Sequence, residues 1–130
     1  THLEWMQTDG RRAALKQIMR EFFKSYDALI MPVSPTPAIP HNTGKPVLKR
    51  SFKVDGKSVP YASHLNWISL ASTCHLPVVT LPIGQTRQGL PVGMQIISQQ
   101  GEDARLLDIA EALEGIFGGY RRPRTDLGIP

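Results

Sequence analysis

The sequence predicts an α/β fold, a small mixed sheet of about three strands packed with three helices. Three observations carry that expectation. Apolar residues recur at three-and-four spacing near both ends of the chain, as one buried face of a helix requires. In between, Pro77 opens a β-branched run (Val78, Val79, Thr80, Leu81) that Pro82 and Gly84 close, and Gly89 with Pro91 starts a second run from Val92. A length of 130 residues fits a single domain able to bury roughly two thirds of its unfolded surface.

Each element follows from local chemistry. Asp9 is a plausible N-cap, and beyond it Leu15, Ile18, Met19, Phe22 and Phe23 fall on one stripe with Arg and Lys opposite, which predicts a helix over 10–24. The apolar run at 27–31, ended by Pro32, reads as a buried strand. From 32 to 60 the chain carries Pro32, Pro35, Pro37, Pro40 and Pro46, too many for a helix or a central strand, so a long loop is expected. Within it, Ser51–Val54 and Ser58–Tyr61 flank Asp55-Gly56, a pair that tolerates positive φ and suits a tight hairpin.

No Pro or Gly interrupts 62–74, where Leu65, Ile68, Ala71 and Ser72 share a face, so a second helix is expected there. Strands follow at 78–82 and 92–98, most economically as an antiparallel pair. In the second, Val92, Met94 and Ile96 point one way and Gly93, Gln95 and Ile97 the other. Asp103 caps a last helix over 103–117, whose stripe of Leu106, Ile109, Ala110, Leu113, Ile116 and Phe117 is closed by Gly118-Gly119. The tail, 120–130, is expected to drape on the surface or to be partly disordered. No repeat of 20 to 50 residues is visible.

The formal charge is +4, but the basic residues are spread over the first helix, the loop and the tail without a dense run. That pattern is a solvated helix face rather than a nucleic-acid footprint, and no nucleic-acid partner is expected. Cys74 is the single cysteine, so no internal disulfide framework exists and a reducing, cytoplasmic setting is favoured. Apolar runs fall far short of the roughly 18 residues that a membrane span needs, so no membrane association is expected. The start at Thr1, with neither Met nor a signal segment, reads as a cleavage boundary.

Motifs that carry chemistry are sparse. Gly56-Lys57-Ser58 resembles the end of a phosphate-binding loop, yet Ser51 stands where that motif needs Gly, and the hairpin accounts for it better. Ser58 lies in a G-x-S context, but Pro60 replaces the second Gly of a nucleophile elbow. Cys74 with His41, His64 or His75 is the only candidate nucleophile–base pair, and a poor one, because His75 is a sequence neighbour whose side chain points apart and a Cys at a helix end is usually a small core residue. His2, His41, His64 and His75 lack metal-ligand spacing, and Asp103, Asp108, Glu111 and Glu114 read as the polar face of a helix. No metal, cofactor or catalytic constellation is expected from the residues themselves.

Three blocks nevertheless form a recognisable series: YDALIMPVSPTPA from Tyr26, LPVVTLPIGQTRQGLPVGMQIIS from Leu76 and EDARLLDIAEALE from Glu102. In order and spacing they resemble the C-terminal part of an amidase signature family enzyme, and within that family a general bacterial-type amidase. The match runs over nearly the whole chain. Where the family often has an Asn and a Gly just before the first strand of the second block, this sequence has Ser72 and His75, so a positive φ at 75 would ask more of the backbone than Gly does.

The resemblance implies a piece of a larger α/β/α fold and an enzyme that hydrolyses carboxylic amides to acid and amine. It implies a Ser nucleophile activated by a second Ser and a Lys, with backbone amides stabilising the oxyanion. Those groups belong to a Gly- and Ser-rich segment upstream of the matched region. No position of this chain corresponds to them, so no catalytic residue is carried over and the isolated chain is expected to be inactive.

What the resemblance leaves to this chain is structural: strands, a covering helix and a loop walling the channel for a small amide substrate. Ser34, Pro35, Thr36 and Trp67 are the candidate substrate contacts, although packing is the commoner role for a Trp. Two other readings stay open. The chain could be an autonomous interaction module that self-associates through an exposed sheet edge or apolar faces, or a fragment of a glutamyl-tRNA-type amidotransferase subunit.

Overall fold

A computed structural model describes residues 1–122. Helix α1 runs from His2 to Phe22, starting about two turns earlier than its apolar stripe suggests. Its start is a capping box: the Thr1 hydroxyl accepts from the Glu4 N–H, and the Glu4 side chain accepts from the Thr1 backbone nitrogen. Asp9 is therefore not the cap. It sits mid-helix, where its carboxylate accepts from Arg12 Nε at 2.8 Å, and Gly10 is simply carried in the helix interior.

Strand β1 (Leu29–Pro32) leads into the Pro-rich loop, which holds one short 3₁₀ turn, Val47–Lys49. Strands β2 (Ser51–Val54) and β3 (Lys57–Pro60) form the expected hairpin. Asp55 at φ 49° and Gly56 at φ 79° give both turn positions the positive φ that a two-residue connection of this hand demands.

The single helix expected over 62–74 is instead two pieces, a 3₁₀ turn over Tyr61–Leu65 and helix α2 over Ser69–Cys74. Side chains capture the carbonyls that a continuous helix would use. Ser69 Oγ donates to the Asn66 carbonyl at 3.0 Å, and Gln95 Nε2 donates to the Trp67 carbonyl at 2.9 Å. At its other end α2 stops on His75 in the left-handed region, φ 57° and ψ 44°, and the Leu76 N–H returns to the Ala71 carbonyl at 3.0 Å. Position 75 does need positive φ, and a histidine supplies it.

Strands β4 (Val78–Gln85) and β5 (Pro91–Ile97) pair antiparallel, and β1 pairs antiparallel with β5 on its other side, in the order β1-β5-β4. Where a mixed sheet was expected, both pairings are thus antiparallel. β1 and β4 run the same way but are kept apart by β5. β4 also passes through Pro82 instead of stopping there. It is an edge strand, where Pro is tolerated, and its register shifts between Pro82 and Gly84, a bulge that absorbs Ile83.

Helix α3 (Asp103–Phe117) begins one residue after its cap, Glu102, and ends on Gly118 at φ 86°. It lies on one face of the sheet, where Leu81 of β4 and Met94 and Ile96 of β5 pack with Leu106 and Ala110. The opposite face of β5 carries the buried Ile97 and Gln95, whose amide reaches the segment that leads into α2. α1 packs on α2. The part of the predicted tail from 123 to 130 lies outside the described residues.

Candidate functional site

The candidate contacts Ser34, Pro35 and Thr36 lie one residue beyond β1, in the Pro-rich loop where the backbone bends over 33–37. Together with Val33 and with Pro91, Val92 and Gly93 at the start of β5 they line one concavity of about 370 Å³. Gly93, paired with Pro82, lets the strands close up there, since a Cβ at 93 would stand 3.2 Å from the Leu81 carbonyl oxygen. Thr36 Oγ1 is shielded from solvent and has no hydrogen-bond partner among the described residues, an open polar valence beside the groove.

Ser34 Oγ lies 3.1 Å from His64 Nδ1. His64 in turn stacks on Phe52 of β2, with ring centroids 4.0 Å apart and planes 12° from parallel, and meets the Tyr61 ring edge-on at 5.1 Å. The hairpin and the Tyr61–Leu65 turn therefore grip the loop through one imidazole. Arg50 extends the stack, its guanidinium carbon 5.9 Å from the Tyr61 centroid. In the sequence His64 is one of four histidines without metal-ligand spacing, and nothing local marks it as a partner of Ser34.

Trp67 does not join Ser34, Pro35 and Thr36 in lining the groove. Its link to the loop is through its backbone: Gln95 Nε2 donates both to the Trp67 carbonyl and, at 2.7 Å, to the carbonyl of Pro32 just ahead of Ser34. Gln95 is buried, and its amide is thus the fixed point between the groove loop and the approach to α2. A signal for it existed in the sequence, since a polar residue between Met94 and Ile96 in a buried strand must find partners inside.

This arrangement shapes a groove lined by hydroxyl and apolar groups. Among the described residues the Ser34–His64 pair has no further hydrogen-bonding side chain on the imidazole, whose ring is held by Phe52 and Tyr61 instead. Cys74 is buried, and that burial pushes its thiol up, against a weaker opposing pull from the Lys16 charge. The thiol stays protonated at neutral pH. His75 contacts Arg12 and Lys16 across the helix pair, not Cys74. No helix among the described residues is long and apolar enough to cross a membrane.

Comparison with known proteins places this geometry. The family model for Amidase matches residues 1–107. A glutamyl-tRNA(Gln) amidotransferase subunit from Bdellovibrio bacteriovorus is 35% identical over 108 residues, covering 81% of this chain and 19% of the relative. A fatty acid amide hydrolase from Medicago truncatula is 29% identical over 128 residues, 96% of this chain and 20% of the relative. Among solved structures, an amidase superposes with TM-score 0.76 at 26% identity over 91% of this chain and 26% of its own. The corresponding glutamyl-tRNA(Gln) amidotransferase subunit of Thermotoga maritima superposes with TM-score 0.68 at 26% identity, over 87% of this chain and 22% of its own. The chain spans about a fifth of the length of the curated relatives it matches. With the family model covering most of its length, the chain belongs to the amidase family.

Proposed function

We propose that this chain is the C-terminal structural part of an amidohydrolase that cleaves carboxylic amides to acid and amine, and that it has no activity by itself. One observation carries the reading: a chain matched to the family over residues 1–107 builds a braced groove around Ser34–Thr36 yet assembles no nucleophile, base and orienting group among its described residues. In this reading Ser34, Pro35 and Thr36 form part of the substrate-channel wall, Thr36 Oγ1 offers a hydrogen bond to the bound amide, and Trp67 flanks the wall. The unpaired Cys74 favours a cytoplasmic setting.

The test is turnover of simple aliphatic and aromatic amides by the purified 130-residue chain. None is expected. Hydrolysis that copurifies with the chain and survives Cys74→Ser would overturn the reading.

A second reading, that the parent is an amidotransferase subunit, is favoured by the 35% identity to the protein from Bdellovibrio bacteriovorus. Coexpression with candidate partner subunits separates the two: a stable stoichiometric complex supports the transferase, and a parent active alone on free amides supports the hydrolase. The interaction-module reading draws on the bare apolar side chains of α1, Leu3, Met6 and Ile18. Sedimentation over rising concentration decides it, since a clean monomer throughout argues against it.

A further inference from the structure

We propose that Arg12 and Lys16 of α1, with His75 at the end of α2, form a binding site for a small oxyanion of the phosphate or carboxylate class. Arg12 Nη1 lies 3.1 Å from His75 Nε2, and Lys16 Nζ lies 3.1 Å from Nδ1 of the same ring. A guanidinium and an ammonium can only donate, while a neutral imidazole has one acceptor nitrogen and the protonated ring has none. One of the two contacts must therefore set donor against donor. An acceptor with two or more oxygens, shared by both cations, removes that conflict.

The surroundings point the same way. Asp9 occupies one edge of the Arg12 guanidinium, through Nε at 2.8 Å and Nη2 at 2.5 Å, which leaves Nη1 to the histidine. Lys16 has no carboxylate partner among the described residues. Of the carbonyls ending α2, those of Ala71 and Ser72 accept from the backbone of Leu76 and His75. Arg11 adds a third cation on the wall of an adjoining concavity of about 520 Å³, which Arg12, Trp5, Thr8, Thr73 and the Arg12-paired Asp9 also line, so there is room for the body that an anionic group is attached to. His75 is one of two non-glycine residues at positive φ among those described, and the turn that holds it there presents its ring to α1.

The test is an amide and imidazole NMR titration of the 130-residue chain with inorganic phosphate at low ionic strength. Saturable shifts are expected at His75 and along α1 near Arg12 and Lys16. Loss of one charge-assisted hydrogen bond in Arg12→Ala or Lys16→Ala should weaken binding about tenfold. Asp9→Asn, which frees the Arg12 guanidinium, should tighten it, a change that a loss of structure cannot mimic. Shifts that rise linearly without saturating, or an affinity unchanged in the Arg12→Ala/Lys16→Ala double variant, would overturn the proposal.

Discussion

Strand β5 and helix α1 are opposites in how they are held. Ile96 and Ile97 of β5 are 0% exposed, whereas on α1 Leu3 is 65% and Ile18 62% exposed, and Met19 is the one buried residue of its 21. β5 is hydrogen-bonded on both sides and covered by α3, all from within this chain. α1 has good caps and few tertiary contacts, so its stability rests on local terms that seldom hold a helix alone. The centre of the sheet-and-α3 layer is therefore covered here, while α1 presents apolar side chains that no described residue covers.

Substitutions put that contrast at risk in graded steps. Ile96→Ala, which opens a cavity in the fully buried centre, should cost about 3 kcal/mol in denaturant unfolding. Gln95→Ala should cost about 2 kcal/mol, since it strips a partner from the Pro32 and Trp67 carbonyls, and it should also shift the Ser34–Thr36 amide resonances. If it leaves those resonances in place, Gln95 is not what sets the groove loop.

A smaller effect concerns pH. Because burial raises the Cys74 thiol in the folded chain, unfolding releases its proton more readily in alkali. Its contribution is fully present below the thiol's unfolded pKa and is lost as pH rises toward the folded one. Stability should therefore slope downward in the alkaline range, and Cys74→Ala should flatten that slope. Smallest of all, Ile18→Ala on the bare face of α1 should change stability by less than about 0.5 kcal/mol. A loss as large as that of Ile96→Ala would mean that α1 is buried after all, as in a self-associated form.

What the sequence made legible follows the same division. The hairpin at Asp55-Gly56, the β4–β5 pair and α3 were readable because their signals are local: positive-φ turn residues, alternation, and a stripe closed by Gly118. The first turns of α1 were not, because Asp9-Gly10 imitates a helix start and the capping box at Thr1–Glu4 outranks it. The break before α2 was not, because the group that takes the Trp67 carbonyl comes from 28 residues away. The same holds at the site. Ser34, Pro35 and Thr36, which line the groove, fall within the first sequence block, whereas His64 reaches Ser34 across 30 residues and only folding brings them together.

Native-state hydrogen exchange of the isolated chain tests the central claim most directly, that the β5 layer is self-sufficient and α1 is not. The amides of Met94–Ile97 should exchange only by global unfolding, while those of α1 should exchange by local opening at least about a hundredfold faster, a gap of some 3 kcal/mol. Equal protection of α1 and β5 in a monomer would contradict the account.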